Sequence, residues 1–212
     1  MAMDIDKLAK ALHESQGLPG DPSKEMKGMA DAIISEMKTM GIVSMLPGTV
    51  MGTATPEGGA LKNGSAGPGL ILGPSGPTLA AQMVSKMGKG GSTPQMIGYA
   101  AGITTHVLTG KVMFAGGKIT GVCGNSPASP GPVSGSGSKG KIVGLSAGGM
   151  AQLVVLGIGQ TQVTDTVKKM CEAIVNHLQD DAEVSFMMGG ILGTAPSGGG
   201  PIAGSGAGGK IS

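Results

Sequence analysis

Gly48-Thr49-Val50-Met51-Gly52-Thr53-Ala54 is answered 69 residues later by Gly117-Lys118-Ile119-Thr120-Gly121-Val122-Cys123. After a further 72 residues comes Gly189-Gly190-Ile191-Leu192-Gly193-Thr194-Ala195. A second signature trails each copy: Gly64-Ser65-Ala66-Gly67-Pro68-Gly69-Leu70-Ile71, Gly135-Ser136-Gly137-Ser138-Lys139-Gly140-Lys141-Ile142 and Gly204-Ser205-Gly206-Ala207-Gly208-Gly209-Lys210-Ile211. It recurs at 71 and 69 residues, so two independent marks keep nearly one period. The chain is an internal triplication, with units of about 1–73, 74–144 and 145–212. Units of that size are small for separate cores, so the three are expected to share one.

Within a unit the apolar spacing predicts a short helix, at Ile5–Ser15, Leu79–Met87 and Met150–Ile158. A Gly-rich break and a longer helix follow, opened by Asp21-Pro22, Thr93-Pro94 and Thr164-Asp165, which place a capping side chain at the start. Stripes such as Met26, Met29, Ile33, Met37 and Val167, Met170, Ile174, Leu178 read as a helical core face. Extended segments come next (Val43–Leu46, Val112–Phe114, Val184–Met187), then turn chemistry, then further strands ending at Ile71, Ile142 and Ile211. The expected fold class is α+β: three internal repeats of about 70 residues, each two helices followed by two or three short strands with Gly-rich turns. Gly48, Gly52, Gly64, Gly117, Gly121, Gly135, Gly189, Gly193 and Gly204 are the expected structural turn residues, since Gly tolerates positive φ and close backbone approach.

Composition narrows the function. Gly is 42 of 212 residues without a Gly-X-Y period, so collagen is excluded. All 15 basic residues are lysine, the net charge is only +2, and Tyr99, Phe114 and Phe186 are the whole aromatic set. Readers of nucleic acid use arginine forks and aromatic stacking, so no nucleic-acid partner is expected. The uncharged stretch 142–164 is broken by Gly144, Gly148, Gly149, Gly157 and Gly159 and carries three glutamines. A buried helix fits it better than a membrane span. The first residues are charged and lack an apolar segment, so no leader is expected there. Cys123 stands where the other repeats have Ala54 and Ala195 and reads as a small buried thiol.

Chemistry-bearing patterns are few. Gly135–Lys141 and Gly204–Lys210 match G-x-x-x-x-G-K, but Ile142 and Ile211 follow where a nucleotide loop needs Ser or Thr. His106 and His177 hold equivalent helix positions, matched by Glu36 in the first repeat, and read as solvated side chains. His13 and the serines Ser136, Ser146 and Ser205 show no catalytic arrangement. No catalytic, cofactor-binding or metal residues are therefore assigned, and no cofactor is expected.

The second helix of the middle repeat has no charge: nothing between Lys89 and Lys111 is ionised. Such a helix is covered by its neighbours or by another copy. This points to a non-enzymatic structural component of a large assembly, a homo- or hetero-oligomer whose partners are other structural subunits. The Gly-, Ala-, Ser- and Met-rich, aromatic-poor, arginine-free chain resembles virion structural proteins of tailed phages, such as tail or baseplate parts. That resemblance implies a place in a virion assembled in the host cytoplasm; without it, a cytoplasmic protein is expected. Two other readings stay open: a small-anion or ligand-binding protein or enzyme using the Gly-rich loops, and a membrane-associated assembly protein.

Overall fold

The computed structural model describes residues 3–212. In chain order the elements are α1 (Ile5–Ser15), α2 (Lys24–Met40), β1 (Ile42–Ala54), β2 (Gly59–Ala60) and β3 (Lys62–Leu72). Then come α3 (Gly76–Met87), α4 (Pro94–Val107), β4 (Lys111–Cys123) and β5 (Gly131–Val143). The chain ends with α5 (Ala147–Gly157), α6 (Asp165–Asp180), β6 (Val184–Ala195) and β7 (Gly200–Ile211).

The expected α+β repeat modules, each two helices with short strands, are corrected by how these elements assemble. Among the described residues six helices gather in one compact unit, formed by 3–41, 73–110 and 144–182. The strands gather in another, formed by 42–72, 111–143 and 183–212. There six strands close an antiparallel barrel in the order β1-β3-β4-β5-β6-β7, with β7 returning to β1 and the two-residue β2 added on β4. The barrel strands are not short either, at 11 to 13 residues. The segments Pro47-Gly48, Gly116-Gly117 and Gly189-Gly190 do not end one strand and begin another. They are irregularities inside β1, β4 and β6, where the pairing register shifts. Gly48, Gly117 and Gly189 bend the strand there with φ of +81°, +78° and +81°, a conformation Gly adopts without a Cβ penalty.

In the helical unit each helix packs on the next, and α6 packs on α1, closing a ring. Caps define the helix starts. Asp4, Ser75 and Ser146 cap α1, α3 and α5, each accepting the amide three residues on. Thr93 and Thr164 cap α4 and α6 as the sequence suggests. For α2 the cap is Ser23 rather than Asp21. Pro22 therefore precedes the cap instead of opening the helix. One face of the uncharged α4 is covered within this unit, while Ile97 stays 49% exposed. The backbone at Gly98 runs against Gly157 and that at Gly102 against Val154, both on α5, so closely that a Cβ on either would overlap its neighbour. Ala101, also on α4, packs against Gly76 of α3. Thr104 is buried and its Oγ1–H donates to the Ala100 carbonyl.

The barrel interior explains the second signature. β1, β4 and β6 send in large side chains: Val43, Met45 and Val50; Val112, Phe114 and Ile119; Val184, Phe186 and Ile191. The strands between them answer with glycine. A Cβ on Gly140 would lie 2.4 Å from Phe114 Cζ, and one on Gly209 2.7 Å from Phe186 Cζ. A Cβ on Gly69 would lie 2.6 Å from Met45 Sδ. A six-stranded barrel has a narrow lumen, so glycine faces the largest of these side chains, while the intervening strands bury Ile71, Val133, Ile142, Ile202 and Ile211 at other levels. The Phe114 and Phe186 rings meet at 5.7 Å between centroids, tilted by 54°. Such a pair adds about 1 kcal/mol to the area it buries.

Candidate interaction surface

On the outside of the barrel the β6–β7 sector carries a single charged side chain, Lys210 near the end of β7. From Val184 to Gly209 the sequence has no ionisable side chain; this run forms β6 and β7 as far as Gly209, after which comes the exposed Lys210. Strand alternation puts the small residues Ala203 and Ser205 of β7 outward. In register, Ala203 lies between Met51 of β1 and Thr194 of β6, and Ser205 lies beside Leu192. Small side chains between larger neighbours make a groove of about 410 Å³. It is walled by Leu192 and Thr194 on one side and by the Pro47-Gly48 irregularity on the other, with Ala203, Gly204 and Ser205 as its floor. Leu192 on its wall is 56% exposed and Met51, paired with Ala203, is 54% exposed; elsewhere on β6 Met187 is 84% and Met188 69% exposed. The β4–β5 sector differs, carrying Lys111, Lys118, Lys139 and Lys141.

The nine glycines expected in turns divide into two kinds. Gly48, Gly117 and Gly189 have the positive φ described above. Gly52, Gly121, Gly193, Gly64, Gly135 and Gly204 are not turn residues; they lie within strands. Gly121 faces Gly135 and Gly193 faces Gly204 across adjacent strands. A Cβ on Gly121 would come within 2.9 Å of Gly135 Cα, and one on Gly193 within 3.0 Å of Gly204 Cα. In the second and third copies the two signatures are therefore the two sides of one close backbone contact; in the first, a Cβ on Gly52 would meet Leu61 and one on Gly64 would meet Ile119 of β4. Gly48, Gly193 and Gly204 also line the groove. Leu192, Thr194, Ala203 and Ser205 complete it. Their signal was the charge-free run at the chain's end, visible only once alternation sorts its outward side chains.

The G-x-x-x-x-G-K segments are strand, not loop: Gly135–Lys141 lies in β5 and Gly204–Lys210 in β7. Among the described residues no three His, Cys, Asp or Glu side chains gather as a metal site. Cys123 and Cys171 are buried free thiols. Burial pushes Cys171 up to about 12, far from the thiolate range.

The reading of His106 and His177 as solvated side chains is corrected. Both are buried, as is Glu36. Each receives an amide from the next helix start around the ring. Ser75 N–H donates to Glu36 Oε1 at 2.8 Å, Ser146 N–H to His106 Nε2 at 3.0 Å, and Asp4 N–H to His177 Nε2 at 3.3 Å. Burial holds His106 below its ordinary pKa. Burial also lowers His177, with Lys7 in the same direction and Asp181 and Asp4 opposing. His13 is buried too, with Nε2 3.2 Å from the Pro19 carbonyl.

No helix among the described residues is long and apolar enough to cross a membrane. No protein-family model matches the chain, and no curated protein and no solved structure shows a significant match to it.

Proposed function

We propose that the chain is a non-enzymatic structural component of a large assembly, with the barrel sector over β7 covered by another structural subunit. The observation that carries this reading is the charge-free run Val184–Gly209 through β6 and β7, with Leu192 exposed on the groove wall and Met187 and Met188 exposed on β6. Contiguous exposed apolar surface is costly for a chain that stays alone and useful for one that is covered. The uncharged α4, by contrast, packs most of its apolar residues against α3 and α5, leaving Ile97 as its exposed large apolar side chain, and adds little to the proposal. The compositional resemblance to tailed-phage virion proteins suggests a tail or baseplate as the setting. There the threefold repetition suits a position between threefold or sixfold partners. Light scattering on the chain alone and in its native particle tests the reading. The double substitution Met188→Lys and Leu192→Lys is expected to leave the helix content and melting temperature unchanged while abolishing incorporation. Normal incorporation of that variant would overturn the proposal.

A further inference from the structure

The helical unit holds a pocket of about 270 Å³ lined by Met29, Met83, Met87, Met96, Met170 and Tyr99. Gln16 stands exposed at its rim. Met29, Tyr99 and Met170 are repeat-equivalent, spaced 70 and 71 residues apart like Glu36, His106 and His177. All three repeats thus meet at this opening. Its lining is richer in methionine than the rest of the helical core, where Leu8, Leu12, Ile33, Ile34, Leu79 and Ile103 are buried along with Met37 and Met150. Five of the chain's 16 methionines converge here, with no branched aliphatic residue among the lining side chains.

Size and chemistry select the occupant. An apolar void of about 150 Å³ stays dry and takes a single benzene ring. At 270 Å³ this pocket has room for two fused rings. A soft cation would need the sulfurs drawn together to bonding distance, and the space is many times an ion's volume. Thioethers are polarisable and flexible, and each sulfur beside an aromatic ring contributes about 0.3–1.5 kcal/mol. The chain cannot supply that ring from a second copy, because Phe114 and Phe186 are buried in the barrel and Tyr99 belongs to the pocket wall. The Gln16 carboxamide offers an acceptor at the mouth. We propose that this pocket is a binding site for a small bicyclic aromatic molecule carrying one hydrogen-bond donor, with the ring among the five thioethers and the donor toward Gln16.

Indole is the probe. With methyl-labelled methionine, a titration is expected to give saturable ring-current shifts at Met29, Met83, Met87, Met96 and Met170. The barrel methyls of Met51, Met187 and Met188 should stay fixed. Met87→Glu, at the half-exposed edge, is expected to weaken indole binding at least about tenfold. Tyr99→Phe, which keeps the packing, should retain it and serves if the charged variant fails to fold. Absence of saturable shifts, or equal shifts on the barrel methyls, would overturn the site. Equal binding of cyclohexane would overturn the aromatic assignment. N-acetyltryptophanamide binding as tightly as indole would overturn the free-ligand assignment in favour of a protein side chain.

Discussion

The Nε2 atom of His177, near the end of α6, accepts the backbone N–H of Asp4, the residue that caps α1. The ring of six helices is closed by this bond between positions 173 residues apart. A capping residue ordinarily satisfies the amide three positions on, and in a capping box a Glu at that position returns the favour to the cap's own N–H. Here the positions three after the caps are Lys7, Thr78 and Gly149, whose amides the caps hold. The reciprocal acceptor comes instead from the preceding helix, as Glu36, His106 or His177. One device thus caps three helices and sets three neighbours, and it ties local helix formation to ring closure.

Acid should loosen the ring. To accept an amide, Nε2 must be unprotonated; in His177 the proton then sits on Nδ1, 2.9 Å from Asp181 Oδ2. His106 and His177 are both lowered from 6.5, chiefly by burial. The unfolded chain therefore binds more protons than the folded one between the lowered values and 6.5. The sign follows: this stability is full above the unfolded pKa and is lost as pH falls through the folded values. The melting temperature is expected to fall from about pH 7.5 to about pH 5, and more shallowly in the His106→Gln, His177→Gln double variant, whose side-chain oxygens accept without titrating. Equal slopes in the two proteins would show that the histidines carry none of the pH dependence.

Glu36 is the same device with a carboxyl group. It is fully buried, and besides Ser75 N–H it accepts Gln82 Nε2–H at 2.8 Å. Glu36→Ala leaves two donors without a partner and is expected to cost about 3 kcal/mol in urea unfolding. Glu36→His restores the acceptor used by the other two repeats and should recover more than half of that loss. If His is no better than Ala, the three positions are not interchangeable.

Helix positions were legible in the sequence because they are local, and two of the six caps were as well: Thr93-Pro94 and Thr164 announce their helices whatever lies nearby, whereas Asp4, Ser23, Ser75 and Ser146 were not legible as caps. The assembly of the strands was not legible. Gly117 in sequence reads as a turn, since positive φ serves both a turn and a bulge, and only the pairing of β4 with β5 on both sides of it shows the strand continuing. Gly121 and Gly135 likewise carry no mark that they face each other. The burial of His106 also could not be read from its own helix, because its partner Ser146 is 40 residues away. The groove beside Leu192 depends on β7 pairing with β1, which brings Pro47 and Gly48 to its far wall from a distant part of the chain, a non-local fact. The triplicated period was visible; the sorting of helices and strands into two units was not.

The bulge glycines should resist replacement for a reason unrelated to space. No atom lies within 4 Å of where a Cβ on Gly48 or Gly117 would stand. Their positive φ alone is the obstacle, so Gly48→Ala is expected to cost about 1–2 kcal/mol. Gly48→Asn should cost less, because Asn tolerates that conformation. Matched urea unfolding curves for the Ala and Asn variants would remove backbone strain as the explanation.

Packing glycines should behave in the opposite manner, with helix and barrel as mutual controls. A methyl on Gly140 would fall inside the Phe114 ring's contact distance, at 2.4 Å from Cζ, where strand pairing on both sides limits relief. Overpacking of this kind costs about 1–3 kcal/mol. Gly148, in the first turn of α5, has open space where its Cβ would be and no positive φ. Gly148→Ala is therefore expected to stabilise by about 0.5–1 kcal/mol, through reduced freedom of the unfolded chain. Phe114→Leu combined with Gly140→Ala provides the decisive comparison, since the smaller side chain vacates the space the methyl needs. The double variant should be more stable than the sum of its single changes by at least about 1 kcal/mol. Strict additivity would mean that ring and glycine are not matched, and that the glycine of the second signature answers some demand other than the width of the barrel.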